Sequence, residues 1–316
     1  MCNYKDKKVL LIAGGGTLGT HISNELLRLG AKVDIICLED KVSDNENLRF
    51  FKHNATIEYL EAFLAQESYD GIVNLIHYPD AEKYRPYHKL LSANTKHLII
   101  TSSYRIYANE QIPITESAPT LYAASKDKEF VAKETYAISK AKIEAIAKED
   151  AEPVNWTIIR PVISFSEYRF DVVMRSGHLV IDAAKEGKTV LLPEAAKNVT
   201  AGVDWAGNTG KLIANLMFKK EALGEAYTIS SAPNLTWKEI ADLYTELVGT
   251  KFEWVDMETY REDDKMSQNF YWALLYDRLF DRKIDNTKVL KATGLGPEDF
   301  LSVRDGLMLE LAKIKK

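Results

Sequence analysis

Apolar segments of strand length alternate with amphipathic helical patterns, and this predicts an α/β fold with a doubly wound parallel sheet. Three observations carry the prediction. The stretch Val9–Leu29 runs from five apolar residues through a glycine cluster into a helix with Leu18, Ile22, Leu26 and Leu29 on one face. Further strand–helix repeats follow up to residue 101. The helical segment YAISKAKIEAIAK then precedes one more apolar strand, TIIRPV.

The opening unit is the most informative. Gly14, Gly15, Gly16 and Gly19 sit between a buried strand and a helix. Glycines permit a tight turn and close approach of a pyrophosphate, and the free N–H groups of the helix N-terminus favour negative charge. The unit therefore reads as the first part of a dinucleotide-binding fold of Rossmann type. Lys32–Cys37 is the second strand. Glu39, just beyond it, is the candidate acid for the adenosine ribose; the alternative is that Glu39 and Asp40 are solvated loop charges. No Arg or Lys stands at that strand end, though Lys41 is close, which favours NAD and leaves NADP open.

Leu48–Phe51 reads as a short third strand and Ile57–Gln66 as a helix. Gly71–Ile76 is the fourth strand, ending at His77, which is either a packed histidine or a cofactor contact. Tyr84–Ala93 is helical, and His97–Thr101 is the fifth strand, ending in Ser102 and Ser103. Ligands bind at the carboxyl ends of such strands, which places Gly16, Glu39, His77 and Ser103 along one edge.

Tyr136 and Lys140 lie four apart, on one helix face. A free tyrosine, with a pKa near ~10, is a poor base at neutral pH, and a neighbouring ammonium favours the tyrosinate. The lysine could also hold a ribose, and a nearby serine could hold an alcohol or polarise a carbonyl. Tyrosine would exchange the hydroxyl proton while a nicotinamide exchanges the hydride.

The bulk numbers exclude several classes. The chain has 316 residues, 46% hydrophobic and 28% charged, with a formal net charge of −5, which suits a globular protein without general attraction to nucleic acid. No apolar run approaches the ~20 residues of a membrane helix. MCNYKDKK is not expected to be a signal peptide. The two cysteines, Cys2 and Cys37, are not expected to pair, and no Cys/His cluster has metal-ligand spacing, so a cytoplasmic protein without a metal is expected.

With these motifs in hand, the chain resembles an extended short-chain dehydrogenase/reductase of the NAD-dependent epimerase/dehydratase family, and its shortened segment after the fourth strand resembles an atypical branch of it. The glycine turn resembles that family's TGGxGFIG. TSSYRIYA resembles its SSxxVYG, ITESAP its acidic-Pro turn with Glu116 and Pro119, and YAISK its YGxSK. TIIRPV carries the strand-end Arg160–Pro161, and Val203–Ala206 resembles V-D-D-V-A. The resemblance implies a Rossmann-type sheet with a smaller C-terminal substrate-binding lobe. Residues 1–165, with 199–230 returning, would form the dinucleotide domain, and 166–198 and 231–316 would mainly form the lobe. It implies Ser103, Tyr136 and Lys140 as catalytic residues. It implies cofactor contacts from Gly14, Gly16, Thr17, Leu18, Gly19, Glu39, His77, Ser102, Tyr136, Lys140 and Pro161. A homodimer is implied as well.

The sequence departs from the pattern at several places. The family's first glycine falls on Ala13, its ribose-binding acid on Cys37, its Ala-Ala pair on Ile76–His77, and the Asn after Arg-Pro on Ile163. The segment after the fourth strand is short. The expected function is NAD(P)-dependent oxidoreduction of a sugar or sugar derivative. The altered glycine loop and Cys37 motivate the alternative, a catalytically weak dinucleotide sensor or scaffold on the same fold.

In the remaining chain, Tyr168, Arg169 and Arg175 are candidates to face an anionic or hydroxylated substrate, and LLPEAA (191–196) reads as a loop. Ala206–Phe218 reads as a helix and Glu225–Ser230 as a strand. Thr236 and Glu239 form a capping box for a helix closed by Gly249. Arg278 and Arg282, near Asp281 in the sequence, are candidates to reach a substrate, although nothing local demands it. An aromatic run from Trp254 to Tyr276 reads as packing, with a sugar-stacking wall or dimer contact as the alternative, and Val303–Ile314 as a surface helix.

Overall fold

The computed structural model describes residues 4–149, 153–264 and 266–314. Six of the sheet strands and their helices follow the expected order: β1 (Lys8–Ile12), α1 (Thr17–Arg28), β2 (Lys32–Cys37), β3 (Leu48–Lys52), α2 (Ile57–Leu64), β4 (Tyr69–Asn74), α3 (Tyr84–Ala93), β5 (Thr95–Thr101), α4 (Ala137–Glu149) and β6 (Trp156–Pro161). The chain returns through α5 (Ala206–Leu216) to a seventh strand, β7 (Ala226–Ile229). All seven pair in parallel, in the order β7-β6-β5-β4-β1-β2-β3. This is the doubly wound Rossmann-type sheet that the sequence predicts.

Alternation along the strands explains the layers. Val9, Leu11, Val33 and Ile35 point to one face and pack with Ile22 and Leu26 of α1 and Leu212, Ile213 and Leu216 of α5. Leu10, Ile12, Ile36 and Ile72 point to the other face, against Leu60 of α2, Leu91 of α3 and Ile143 and Ile146 of α4. The chain winds one way from β1 to β2 and the other way from β3 to β4. The crevice between β1 and β4 is therefore the switch point of the sheet, the place where such folds bind ligands.

A further core, with Tyr104, Phe165, Phe170, Trp237, Tyr244 and Tyr260, lies under the elements that cover the carboxyl edge of the sheet. The helix Trp237–Val248 has the predicted capping box at Thr236 and Glu239 and ends on Gly249 at φ +85°. The expected loop at 191–196 is corrected. Thr189–Pro193 is a strand, paired in parallel with Lys251–Val255, and Glu194–Ala196 is a 3₁₀ turn. Its partner lies some sixty residues away, which local patterning does not reveal.

The aromatic run divides. Tyr260 and Trp272 are buried, and Tyr276 packs on Phe130 in a tilted pair with centroids 4.1 Å apart, whereas Phe270 is exposed. Cys37 is a free, buried thiol; Cys2 lies outside the described residues. Among the described residues no helix is long and apolar enough to cross a membrane.

Candidate active site

The loops that leave β1, β2, β4, β5 and β6 meet along the carboxyl edge. They line two adjoining clefts that share Ala13, Gly16, Leu75 and His77. One cleft, over β2, has Gly15, Cys37, Glu39, His53 and Tyr87 in its walls. The other, about 420 Å³, is lined by Gly16, Thr17, Leu18, Gly19, Ser102, Ser103, Tyr136, Lys140 and Pro161 among others.

Each glycine of the turn has a distinct position. A Cβ on Gly19 would strike the carbonyl oxygen of Gly14, so its absence lets α1 close on the loop. A Cβ on Gly14 would meet Ile35 Cγ2 and Leu11 Cβ at 2.9 Å. Gly14 lies beneath the loop and lines neither cleft, because its amide is turned to Ile36 O (3.3 Å). A Cβ on Gly16 would meet nothing within 4 Å; this position opens onto the cleft. Gly16 is also the N-cap of α1, with no side chain capping the helix, so the first amides are free for an anion. Ala13, where the family pattern has glycine, holds φ +59°, in the left-handed region that costs an L-residue about 1 kcal/mol or more.

The cleft over β2 is organised by Glu39. Its carboxylate lies against Gly15, where a Cβ would collide with it. Lys41 does not face the cleft as a free cation: its ammonium donates to Gly15 O (2.6 Å) and sits over the Tyr168 ring (5.2 Å). The Cys37 thiol interacts with the backbone oxygen of Glu39 (3.5 Å), and burial pushes its pKa up. This wall presents the Glu39 carboxylate to hydroxyl groups at the turn, while Lys83 lines the same cleft beside Asp80 and Tyr87.

In the second cleft Lys140 is almost fully buried. Its ammonium donates to Thr101 O (2.7 Å) at the end of β5 and reaches Ile76 O (3.5 Å) beyond β4. Desolvation lowers its pKa to about 8, against the opposing pull of Glu144 one turn on. Glu144 is engaged by Arg160 in a bidentate pair (2.9 and 2.6 Å), and Arg160 also donates to Tyr107 Oη (2.8 Å) and Glu116 O (2.9 Å). Arg160 thus ties α4 to β6, and its neighbour Pro161 reaches the cleft wall.

Tyr136 precedes α4. Its backbone N–H and that of Ile138 donate to Glu134 Oε2 (3.0 Å each), which caps the helix and fixes the residue. The ring is flanked by His77, with centroids 5.0 Å apart and ring planes tilted by 44°, and by the guanidinium of Arg105, 4.6 Å from the ring centroid. His77 has its pKa lowered, first by desolvation and then by Lys140 and Arg105, so it is neutral near pH 7. Ser103 Oγ accepts from Arg105 N (3.2 Å), which leaves its proton available to the cleft. Ser102 Oγ is buried with no hydrogen-bond partner.

The structure therefore brings every nominated residue except Gly14 to the two clefts. Of the outlying candidates, Arg169 lines the second cleft, while Tyr168 is exposed over Lys41. Arg175 faces away, pairing with Asp263 (2.6 Å) and Leu191 O (3.1 Å).

Arg105, two residues past Ser103, is not among the residues nominated from the sequence, whereas Arg278, a candidate to reach a substrate, does line the cleft. A π-helical turn, Leu274–Arg278, shifts the register there. Arg278 and Arg282 pair with the buried Asp277, whereas Asp281 accepts from Thr200 N (3.1 Å). The signal for Arg105 was its place inside the SSYRIYA segment.

Residues 10–206 match the model of the NAD dependent epimerase/dehydratase family. No curated protein matches the sequence significantly. Solved structures of similar fold include the epimerase Mth375 from Methanothermobacter thermautotrophicus, at 16% identity and TM-score 0.73, covering 99% of this chain and 93% of that one. The Bordetella bronchiseptica enzyme WbmG in complex with NAD matches at 15% identity and TM-score 0.70, covering 98% and 94%. TunA, an NAD dependent-NDP-hexosamine 5,6-dehydratase of tunicamycin biosynthesis, matches at 12% identity and TM-score 0.72, covering 98% of each chain.

Proposed function

This chain belongs to the NAD-dependent epimerase/dehydratase family, and on that premise we propose that it transfers hydride between NAD and an alcohol of a sugar or sugar derivative, with Tyr136 as the acid/base. The observation that carries the reading is the convergence of Ser103, from the end of β5, with Tyr136 and Lys140, from the start of α4, on the cleft that also holds the mouth of the glycine turn.

The residues fit the cofactor. The open space at Gly16 and the uncapped amides of α1 suit a pyrophosphate. Glu39, over Gly15, suits ribose hydroxyls and opposes a 2′-phosphate, which agrees with NAD. The cofactor supplies the hydride acceptor and donor.

The protein's own groups do the rest. Lys140, fixed by Thr101 O, has further N–H bonds to offer a ribose hydroxyl and the region of Tyr136. Ser103 donates its hydroxyl proton to the substrate oxygen and orients it. Tyr136 Oη takes the alcohol proton as the carbonyl forms and returns it when the carbonyl is reduced. Neutral His77 walls one face of the Tyr136 ring without adding a competing charge. The site thereby serves epimerisation, dehydration or net oxidation, since all three begin by removing that hydride.

The test is a dinucleotide titration followed by a screen of free sugars, sugar acids and nucleotide sugars, read by cofactor absorbance and product NMR. The reading expects NAD to bind and one class to turn over. Binding with no turnover on any of them would favour a nucleotide sensor instead.

A further inference from the structure

The lining of the second cleft is cationic. Arg105, Arg169, Arg278 and Lys140 line this cleft, and no aspartate or glutamate among the described residues does. Arg169 is held by Asp171 (2.8 Å). Behind the wall, Arg105, Arg278 and Arg282 surround one fully buried carboxylate, Asp277. Arg278 is fixed by Asp277, by Val173 O (2.9 Å) and by Tyr104 Oη (3.4 Å). The π-helical turn presents it to the cleft.

Arg105 is held more loosely. Its Nε lies 3.4 Å from Asp277 Oδ2 and its Nη2 3.7 Å from Glu134 Oε1, and neither contact closes a hydrogen bond. Glu134 directs its other oxygen to the two amides that cap α4. A half-buried guanidinium whose ion pairs are this long has Nη donors left to match a planar oxyanion. Its place over the Tyr136 ring puts that anion beside the reacting alcohol.

Resting on the hydride-transfer reading above, we propose that the substrate is an acidic sugar of the uronate class. Its carboxylate lies within a bond or two of the alcohol carbon that reacts. Arg105, backed by Arg278, receives it, and Asp277 and Glu134 hold Arg105 in position.

The NAD-saturated full chain is titrated by calorimetry with glucuronate, galacturonate and mannuronate, each against glucose, galactose and mannose. UDP-glucuronate is compared with UDP-glucose in the same way, which separates a free acid from a nucleotide-linked one. At least one acid is expected to bind about tenfold or more tightly than its neutral partner. Arg105→Met should erase that ratio while changing the neutral sugars less than twofold, and Arg105→Lys should restore part of it.

Acids that bind no better than neutral sugars in every pair overturn the proposal. So does an Arg105→Met variant that weakens acid and neutral ligands alike. Should that variant not fold, the wild-type ratios decide alone. Failure of NAD to bind at all sinks the enzymatic reading itself; a preference for a neutral sugar, with NAD bound, sinks only the uronate assignment.

Discussion

Gly16→Ala separates folding from cofactor binding. The residue sits at φ −96° and ψ −162°, which alanine adopts, and the added methyl meets no protein atom within 4 Å. Reduced unfolded-state entropy favours alanine by about 0.4–1 kcal/mol, and its poorer N-cap character opposes that by a similar amount. The unliganded stability should therefore stay within about 0.5 kcal/mol of wild type.

The same methyl projects into the space a pyrophosphate would take. Overpacking of that kind costs about 1–3 kcal/mol, or up to roughly a hundredfold in affinity. At NAD one hundred times the wild-type Kd, binding stabilises the folded state by about 2.7 kcal/mol, and a hundredfold loss leaves about 0.4 kcal/mol. At roughly 2 °C per kcal/mol for a large domain, the NAD-induced rise in Tm should fall from about 5 °C to about 1 °C. Thermal melts with and without NAD read this directly. An unchanged NAD-induced shift in Gly16→Ala would refute the placement of the cofactor on this turn.

Gly19→Ala should behave differently: the methyl meets the backbone carbonyl of Gly14, which cannot move aside, so unliganded stability itself should drop by more than about 2 kcal/mol in a denaturant titration. Ala13→Gly should raise stability by about 0.5–1 kcal/mol, since relief at φ +59° exceeds the added chain entropy, with NAD affinity retained or improved. Lys140 links stability to pH. Its folded pKa of about 8 lies below the ordinary 10.5, so the unfolded chain keeps the proton that the folded protein releases between those values. The desolvation cost is present in full below about pH 8 and is relieved as pH rises toward 10.5. The stability of wild type relative to Lys140→Met should therefore increase from pH 7.5 to pH 10, measured by denaturant titration at each pH.

Much of this organisation is legible along the chain because it is local. The glycine turn, the capping box at Thr236 and Glu239, and the strand-end serines are each set by residues a few positions apart. Features made by distant partners are not. The strand Thr189–Pro193 exists because Lys251–Val255 lies beside it. Arg278 faces the cleft because a π-helical turn displaces it, so the acid that matters is Asp277 rather than Asp281. The departures from the family pattern also gain a physical meaning. Ala13 carries the positive φ that a glycine usually relieves, and Glu39, two residues past Cys37, covers the turn at Gly15. Arg105 escaped notice because nothing in its own segment shows that Tyr136, thirty-one residues on, folds back beneath it.

The central claim is that Tyr136 moves the proton while the rest of the site binds NAD. The direct measurement is Tyr136→Phe, assayed for NAD affinity by calorimetry and for turnover on the best substrate of the screen. NAD affinity within about threefold of wild type, with turnover reduced a hundredfold or more, is the predicted result. Undiminished turnover by Tyr136→Phe would contradict it.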